Sequence, residues 1–254
     1  MRKRKVTCTL FLTALVAAAP AGAQIQPFNI FVDNLTQTQV LRNSIARAEA
    51  RKSEAGARTP DIADGVALLT ASKPQTASAS LPFTHDPAVS RRVQQQLLAG
   101  VREQTPEGAE EVRAALNSGE MRRAFDAAMP PLGLKANDAL DVLAVYIMTA
   151  WGVTNDTDVT PDRAMVRAVR GQVGRAYAST ADLLNTPAER QEFGEALIYQ
   201  SVILSQLLDA MRKMPADQRR TIADRMHRAS LPVLGYDLRD IRLTPQGFRP
   251  RDDG

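Results

Sequence analysis

The chain has 254 residues, with 32 Lys plus Arg against 28 Asp plus Glu and a single cysteine. Arg2, Lys3, Arg4 and Lys5 carry the whole of the imbalance, because residues 1–23 hold no acid and residues 24–254 hold 28 bases and 28 acids. Without those first residues there is no basic surplus to argue for nucleic acid or anionic membrane as a partner, and without Cys8 there is no disulfide and no cysteine metal ligand.

The four bases are followed by an uncharged apolar run, Val6 to Ala19, and then by Ala21-Gly22-Ala23. A basic head, a short apolar stretch and small residues at the −3 and −1 positions form a secretory signal peptide. The run is too short for a bilayer, which needs about 20 residues. Cleavage is expected after Ala23, leaving Gln24 first, and the product is expected in the periplasm or outside the cell, with no transmembrane segment. From Asn34 to Ala50 the apolar residues Leu35, Val40, Leu41, Ile45 and Ala48 outline an amphipathic helix. Residues 51–80 turn to Ala, Ser, Thr, Pro and Gly without an aromatic, a composition that cannot bury enough apolar surface to offset ordering entropy. A flexible linker is therefore expected there, a compact domain over 81–248, and a disordered tail over 249–254.

Within that domain Thr-Pro pairs at 105–106, 160–161 and 186–187, together with Asp86-Pro87, read as helix starts, since a capping side chain precedes a proline whose missing N–H costs nothing in the first turn. Thr186-Pro187-Ala188-Glu189 is also a capping box. Periodicity predicts helices near 87–103, 106–117, 119–129, 137–152, 161–178, 187–213 and 215–229. Val142 to Val153 and Ala196 to Leu208 carry no charge, which marks two buried central helices; the others have a single apolar stripe. The fold class is therefore all-α: a bundle of about seven helices around two apolar core helices, behind a flexible leader. No sustained period-two alternation follows Leu81, so no sheet is expected. Gly171, Gly174 and Gly194 suit close approach of helices, and Leu234 to Phe248 is expected to pack back on the bundle through Tyr236, Leu238, Ile241, Leu243 and Phe248.

Catalytic signatures are scarce. The sequence contains no His-Glu-x-x-His, no Gly-x-Ser-x-Gly, no phosphate-cradling loop and no EF-hand loop, and no metal or cofactor is expected. His85 and His227 read as solvated surface histidines. Two acid pairs lie one helical turn apart on the core helices, Asp138 with Asp141 and Glu192 with Glu195. Paired acids can hydrolyse glycosides without a cofactor, although acids in a first turn also stabilise the helix dipole. Asp141 and Glu195 are the candidate acids, with Tyr146 and Tyr199 as hydroxyl partners. Trp151 and an arginine stripe, Arg163, Arg167 and Arg170, are candidate ligand contacts, the stripe suiting an anionic glycan or head group. Gly171-Gln172-Val173-Gly174 shares its spelling with KH-domain loops but lies inside a helical pattern.

Several blocks carry a family resemblance: Asp86-Pro87-Ala88-Val89 with Arg91-Arg92-Val93; Gly133-Leu134-Lys135-Ala136-Asn137 leading to Ala144-Val145-Tyr146 and Thr149-Ala150-Trp151; Gln191-Glu192 with Glu195-Ala196-Leu197; and Gly235 to Arg239 running to Leu243-Thr244-Pro245-Gln246-Gly247-Phe248. Over 81–248 the chain resembles an uncharacterised bacterial family of exported Ala- and Arg-rich proteins, a domain of unknown function. The resemblance implies export and helices and carries no activity; it leaves residues 24–80 outside. The function expected first is non-enzymatic binding to a protein or a cell-envelope component, without nucleic acid. The alternative is an envelope hydrolase or small-ligand-binding enzyme with its site between the two core helices. The 34–50 segment could also dock on the bundle or on a partner.

Overall fold

The structure, a computed structural model, describes residues 69–70, 79–104, 106–176 and 184–251. The signal segment, the helix expected at 34–50, most of the 51–80 stretch and residues 252–254 lie outside the described residues. Among those described, seven α-helices follow in chain order: α1 (Pro87–Gln104), α2 (Ala109–Ser118), α3 (Glu120–Leu132), α4 (Ala139–Thr154), α5 (Arg163–Ala176), α6 (Pro187–Met211) and α7 (Ala216–Leu234). A 3-10 turn, Pro106–Gly108, precedes α2, and a two-stranded hairpin, β1 (Ile241–Thr244) and β2 (Gly247–Pro250), follows α7. No helix among the described residues is long and apolar enough to cross a membrane.

The two uncharged segments form the centre. Every residue of α4 except Val145 and Thr149 is buried, and α6 is buried almost continuously from Gln191 to Leu204. These two helices make the most extensive contact of any pair, with α1, α3, α5 and α7 packed around them. Gly152 permits one close approach, since a Cβ there would come within 2.8 Å of Val159 and 3.2 Å of Leu208. At Gly194 the intruder is the Phe83 ring, 2.8 Å from the Cβ position, so this glycine admits a side chain rather than a helix axis.

The expected starts are present with shifts. Asp86 caps α1 by accepting from the Ala88 N–H at 2.8 Å. Thr186 and Glu189 complete both bonds of the capping box on α6. At α5 the cap passes to Asp162, which accepts from the Met165 N–H, and the helix starts at Arg163 rather than 161. Two helices run through prolines beyond their expected ends. α3 continues through Pro130 and Pro131 to a left-handed Gly133, and α7 passes Pro232 to a left-handed Gly235. A proline in the last turn interrupts one backbone bond without ending the helix, and the glycine two or three residues later supplies the stop.

Two expectations are corrected. The absence of a sheet fails at the C-terminus, where β1 pairs antiparallel with β2 in the register Ile241↔Pro250 through Thr244↔Gly247. Each strand is only four residues long and includes Gly247 or is followed by Pro245, too short for a period-two signal to rise above the helical pattern. β2 also carries the ordered chain to Pro250, past the expected boundary at Phe248. The flexible linker fails at Leu69 and Thr70, which are helical and buried, Leu69 to 0% exposure within the core. The expected packing of the tail does occur: Tyr236, Leu238, Ile241 and Phe248 are buried in the core and Leu243 is packed against it.

Candidate functional site

Asp138 and Asp141 open α4, and the structure engages both in hydrogen bonds. The Asp138 Oδ1 atom caps the helix, accepting from the Leu140 N–H at 3.0 Å and the Asp141 N–H at 3.3 Å, while Oδ2 accepts from the Ser80 hydroxyl. Asp141 accepts from Arg170 Nε and, through Oδ2, from the Lys135 N–H at 2.8 Å. Arg170 also donates to the Ala79 carbonyl at 2.6 Å. Its guanidinium thus ties α5 to α4 and to the segment entering the bundle. The arginine stripe is broken as a result. Arg163 and Arg167 stay exposed, Arg163 donating to the carbonyls of Pro131 and Pro130 at the end of α3, whereas Arg170 is buried.

Glu195, 1% exposed, is the centre of a second network. Four side chains from three other parts of the chain and from its own helix converge on one oxygen, Oε1: Ser90 of α1 at 2.8 Å, Gln191 of α6 at 3.0 Å, Arg122 of α3 at 3.2 Å and His85, before α1, at 3.3 Å. Gln191 also receives the Asp86 N–H and donates to the Asp86 carbonyl, both at 2.8 Å. One turn further on, Tyr199 accepts from Gln94 of α1 at 2.8 Å, and burial pushes its phenol above the usual tyrosine range. Glu195 and Tyr199 are therefore brought to one seam between α1 and α6. Asp141 is engaged elsewhere, by Arg170 and the Lys135 N–H, and Tyr146 is buried within the core.

This seam has the residue types of a nucleophilic triad without its wiring. The same histidine atom, Nδ1, faces both Glu195 at 3.3 Å and the Ser90 hydroxyl at 3.4 Å. A relay needs the two ring nitrogens to do different work, one holding the acid and the other taking the proton of the hydroxyl. Sequence spacing links only Gln191 with Glu195, as i and i+4. The roles of Ser90, Arg122 and His85 carry no local signal, because each lies about 70 or more residues from Glu195; His85 is exposed, as expected of a solvated histidine, and also reaches Glu195.

Trp151 is committed to the C-terminal segment. Its indole N–H donates to the Ile241 carbonyl at 2.9 Å, and its ring lies 6.5 Å from that of Phe248. From α5, Gln172 holds the Phe248 backbone at both ends, donating to its carbonyl at 2.7 Å and accepting from its N–H at 2.8 Å. The second histidine, His227, lies 3.1 Å from Asp237. Arg239 binds Asp224, holding that carboxyl below its usual range.

A cavity of about 270 Å³ opens between the α4–α5 loop and the turn joining α6 to α7, lined by Asp156, Thr157, Asp158, Leu208, Met211, Arg212 and Arg219. Arg219 Nε donates to both Asp156 oxygens, at 2.9 and 3.1 Å, and Arg212 pairs with Asp158 and, at 2.8 Å, with Asp209. The hydrogen bond to Asp158 raises Arg212 above the usual arginine value. Sequence reading passed over these residues because Arg-Asp pairs on helix ends look like ordinary solvated charge. Among the described residues no group of three or more His, Cys, Asp or Glu side chains could hold a metal ion.

No curated protein and no solved structure matches the chain. The sequence model of one family matches residues 1–250, extending the resemblance over the N-terminal residues that the sequence motifs left outside it. The chain therefore belongs to DUF6683, a family of unknown function.

Proposed function

We propose that residues 24–254 are released by cleavage after Ala23 as an exported protein, periplasmic or extracellular, that acts by binding another protein or a cell-envelope component. The signal-like arrangement of Arg2–Lys5, Val6–Ala19 and Ala21-Gly22-Ala23 supports the export. The observation that carries binding over catalysis is the separate engagement of the two core acids, Asp141 by Arg170 and Glu195 by three hydrogen-bond donors of its own with His85 beside them. Acid-pair hydrolysis needs two carboxyl groups facing one substrate bond across at most about 9.5 Å. Expression of the full chain in a bacterium with an outer membrane, followed by fractionation and mass spectrometry, is expected to find a product starting at Gln24 outside the cytoplasm. A product that keeps Met1 in the cytoplasm overturns the export. Cross-linking in the cell is expected to join the exported chain saturably to one envelope component.

The second reading, an envelope hydrolase or ligand-binding enzyme with an inter-helix site, draws on the seam where Ser90, His85, Glu195 and Tyr199 meet. Hydrolysis of an envelope polymer by the purified protein, lost in Glu195→Gln while the fold persists, would replace the binding reading with this one.

A further inference from the structure

The cavity between the α4–α5 loop and the α6–α7 turn has a lining that none of the readings above uses. Its floor is apolar: Met211 is buried to 1% exposure and Leu208 to 9%. Its rim carries two arginines and two aspartates, Arg212 with Asp158 and Arg219 with Asp156, so the lining has no net charge.

The wall bearing the aspartates is fixed in place. The Thr157 N–H donates to the Gly152 carbonyl at 2.9 Å and the Thr157 hydroxyl to the Asn155 carbonyl at 2.9 Å. A Cβ on Gly152 would come within 3.1 Å of the Thr157 carbonyl, so only glycine lets the loop lie this close to α4. Asp156 has φ +47°, the one non-glycine residue with positive φ among those described. A side chain held in that region at a cavity edge is a constraint the surroundings impose, and such constraints concentrate at ligand sites. On the opposite wall Arg219 is steadied by donating to the Met214 carbonyl at 3.0 Å.

The geometry points to a binding site for a small zwitterion with an aliphatic body, a free α-amino acid of the leucine or methionine kind. Its carboxylate would accept from Arg212 and Arg219, its ammonium would lie between Asp156 and Asp158, and its side chain would cover Leu208 and Met211. Three features select this class. A ligand with net charge would leave one sign of the rim uncompensated as water is displaced, whereas a zwitterion satisfies both. Arg212 and Asp158 are half exposed, 46% and 55%, and a pair of that kind is worth at most about 1 kcal/mol, so opening it to admit a ligand costs little; Arg219 and Asp156 are about one-third exposed, 32% and 34%, and the ligand's two charges would take the place of each partner there. The volume lies just under the range of about 300–1,000 Å³ typical of small-molecule pockets and suits a ligand at its lower end. The inference goes beyond the proposed partner binding and is independent of export.

Titration calorimetry of the mature chain, residues 24–254, with L-leucine tests it. Saturable heat is expected, while 4-methylpentanoate, which lacks the ammonium, and 3-methylbutylamine, which lacks the carboxylate, bind at least about tenfold more weakly, the factor for losing one charge-assisted contact. Arg219→Gln and Asp158→Asn are expected to weaken leucine by a similar factor, with the helical circular dichroism unchanged. No saturable heat up to about 10 mM L-leucine, well above a 1 mM dissociation constant, overturns the inference, and so does 4-methylpentanoate binding as tightly as leucine. The analogue series uses the unaltered protein, so the test stands even if a variant fails to fold.

Discussion

Arg170 donates to Asp141 and to the Ala79 carbonyl and lies 3.5 Å from Asp138. Replacing such a buried pair by apolar groups can be nearly neutral, but removing one member strands the other charge. Arg170→Met is therefore expected to lower unfolding stability by about 3–5 kcal/mol in urea, and Arg170→Met with Asp141→Asn is expected to recover part of the loss. Tyr199 tests a second buried group. Burial holds its phenol above the ordinary value, so between about pH 10 and the raised value the unfolded chain gives up a proton that the folded chain keeps. The stability associated with this group is present below about pH 10 and is lost as pH rises through the raised value. Thermal unfolding followed across that range should show a decline that is shallower in Tyr199→Phe.

At the scale of elements, the hairpin shows how a short strand pair is stabilised from outside. Two four-residue strands cannot stand alone in water. Here Trp151 of α4 and Gln172 of α5 hold β1 and β2 by the backbone, and Phe248 fills the core. Gly247 is the weak point, because at φ +93° a Cβ would lie 2.3 Å from Gln172 Oε1. Gly247→Ala should break the paired bonds to Phe248 and cost about 1–3 kcal/mol, with faster hydrogen exchange confined mainly to 241–250. The helices were legible in advance because their signals are local: a capping side chain, a following proline, an apolar period of 3.6. The hairpin was not, because the groups that stabilise it come from residues 151 and 172.

For the whole molecule, the core reaches beyond the domain expected at 81–248. Leu69 is fully buried in it, and the segment from Ala79 to Asp86 is held by Arg170, by the backbone pairing of Phe83 with Asn137 and of Ala139 with Leu81, and by Gln191. Leu69→Ala should therefore cost about 2–5 kcal/mol, as truncations of fully buried leucines do. A linker residue would be insensitive, and chemical denaturation with the apolar Leu69→Met as control separates the two. Leu69 was missed because an isolated leucine in an Ala, Ser and Thr-rich stretch has no periodic neighbours to announce its burial, and composition reports only the average of a segment.

What the sequence determined by itself follows from short-range physics. Uncharged runs too short for a bilayer had to be buried, and they became α4 and α6; capping residues and prolines placed the helix starts to within a few residues; the basic head, apolar run and small residues supply the basis for the proposed export. What only the tertiary structure decided is which polar groups meet. Glu195 could be recognised as an acid on a core helix, but its engagement by Ser90, Arg122 and His85 depends on how α1 and α3 pack against α6. Asp156 and Arg219, 63 residues apart, come together only because the α4–α5 loop folds back over Gly152 while the turn after α6 brings the start of α7 beside that loop. Contacts of that separation leave no period and no motif in the chain, since the physical constraint that creates them is the filling of the space between helices.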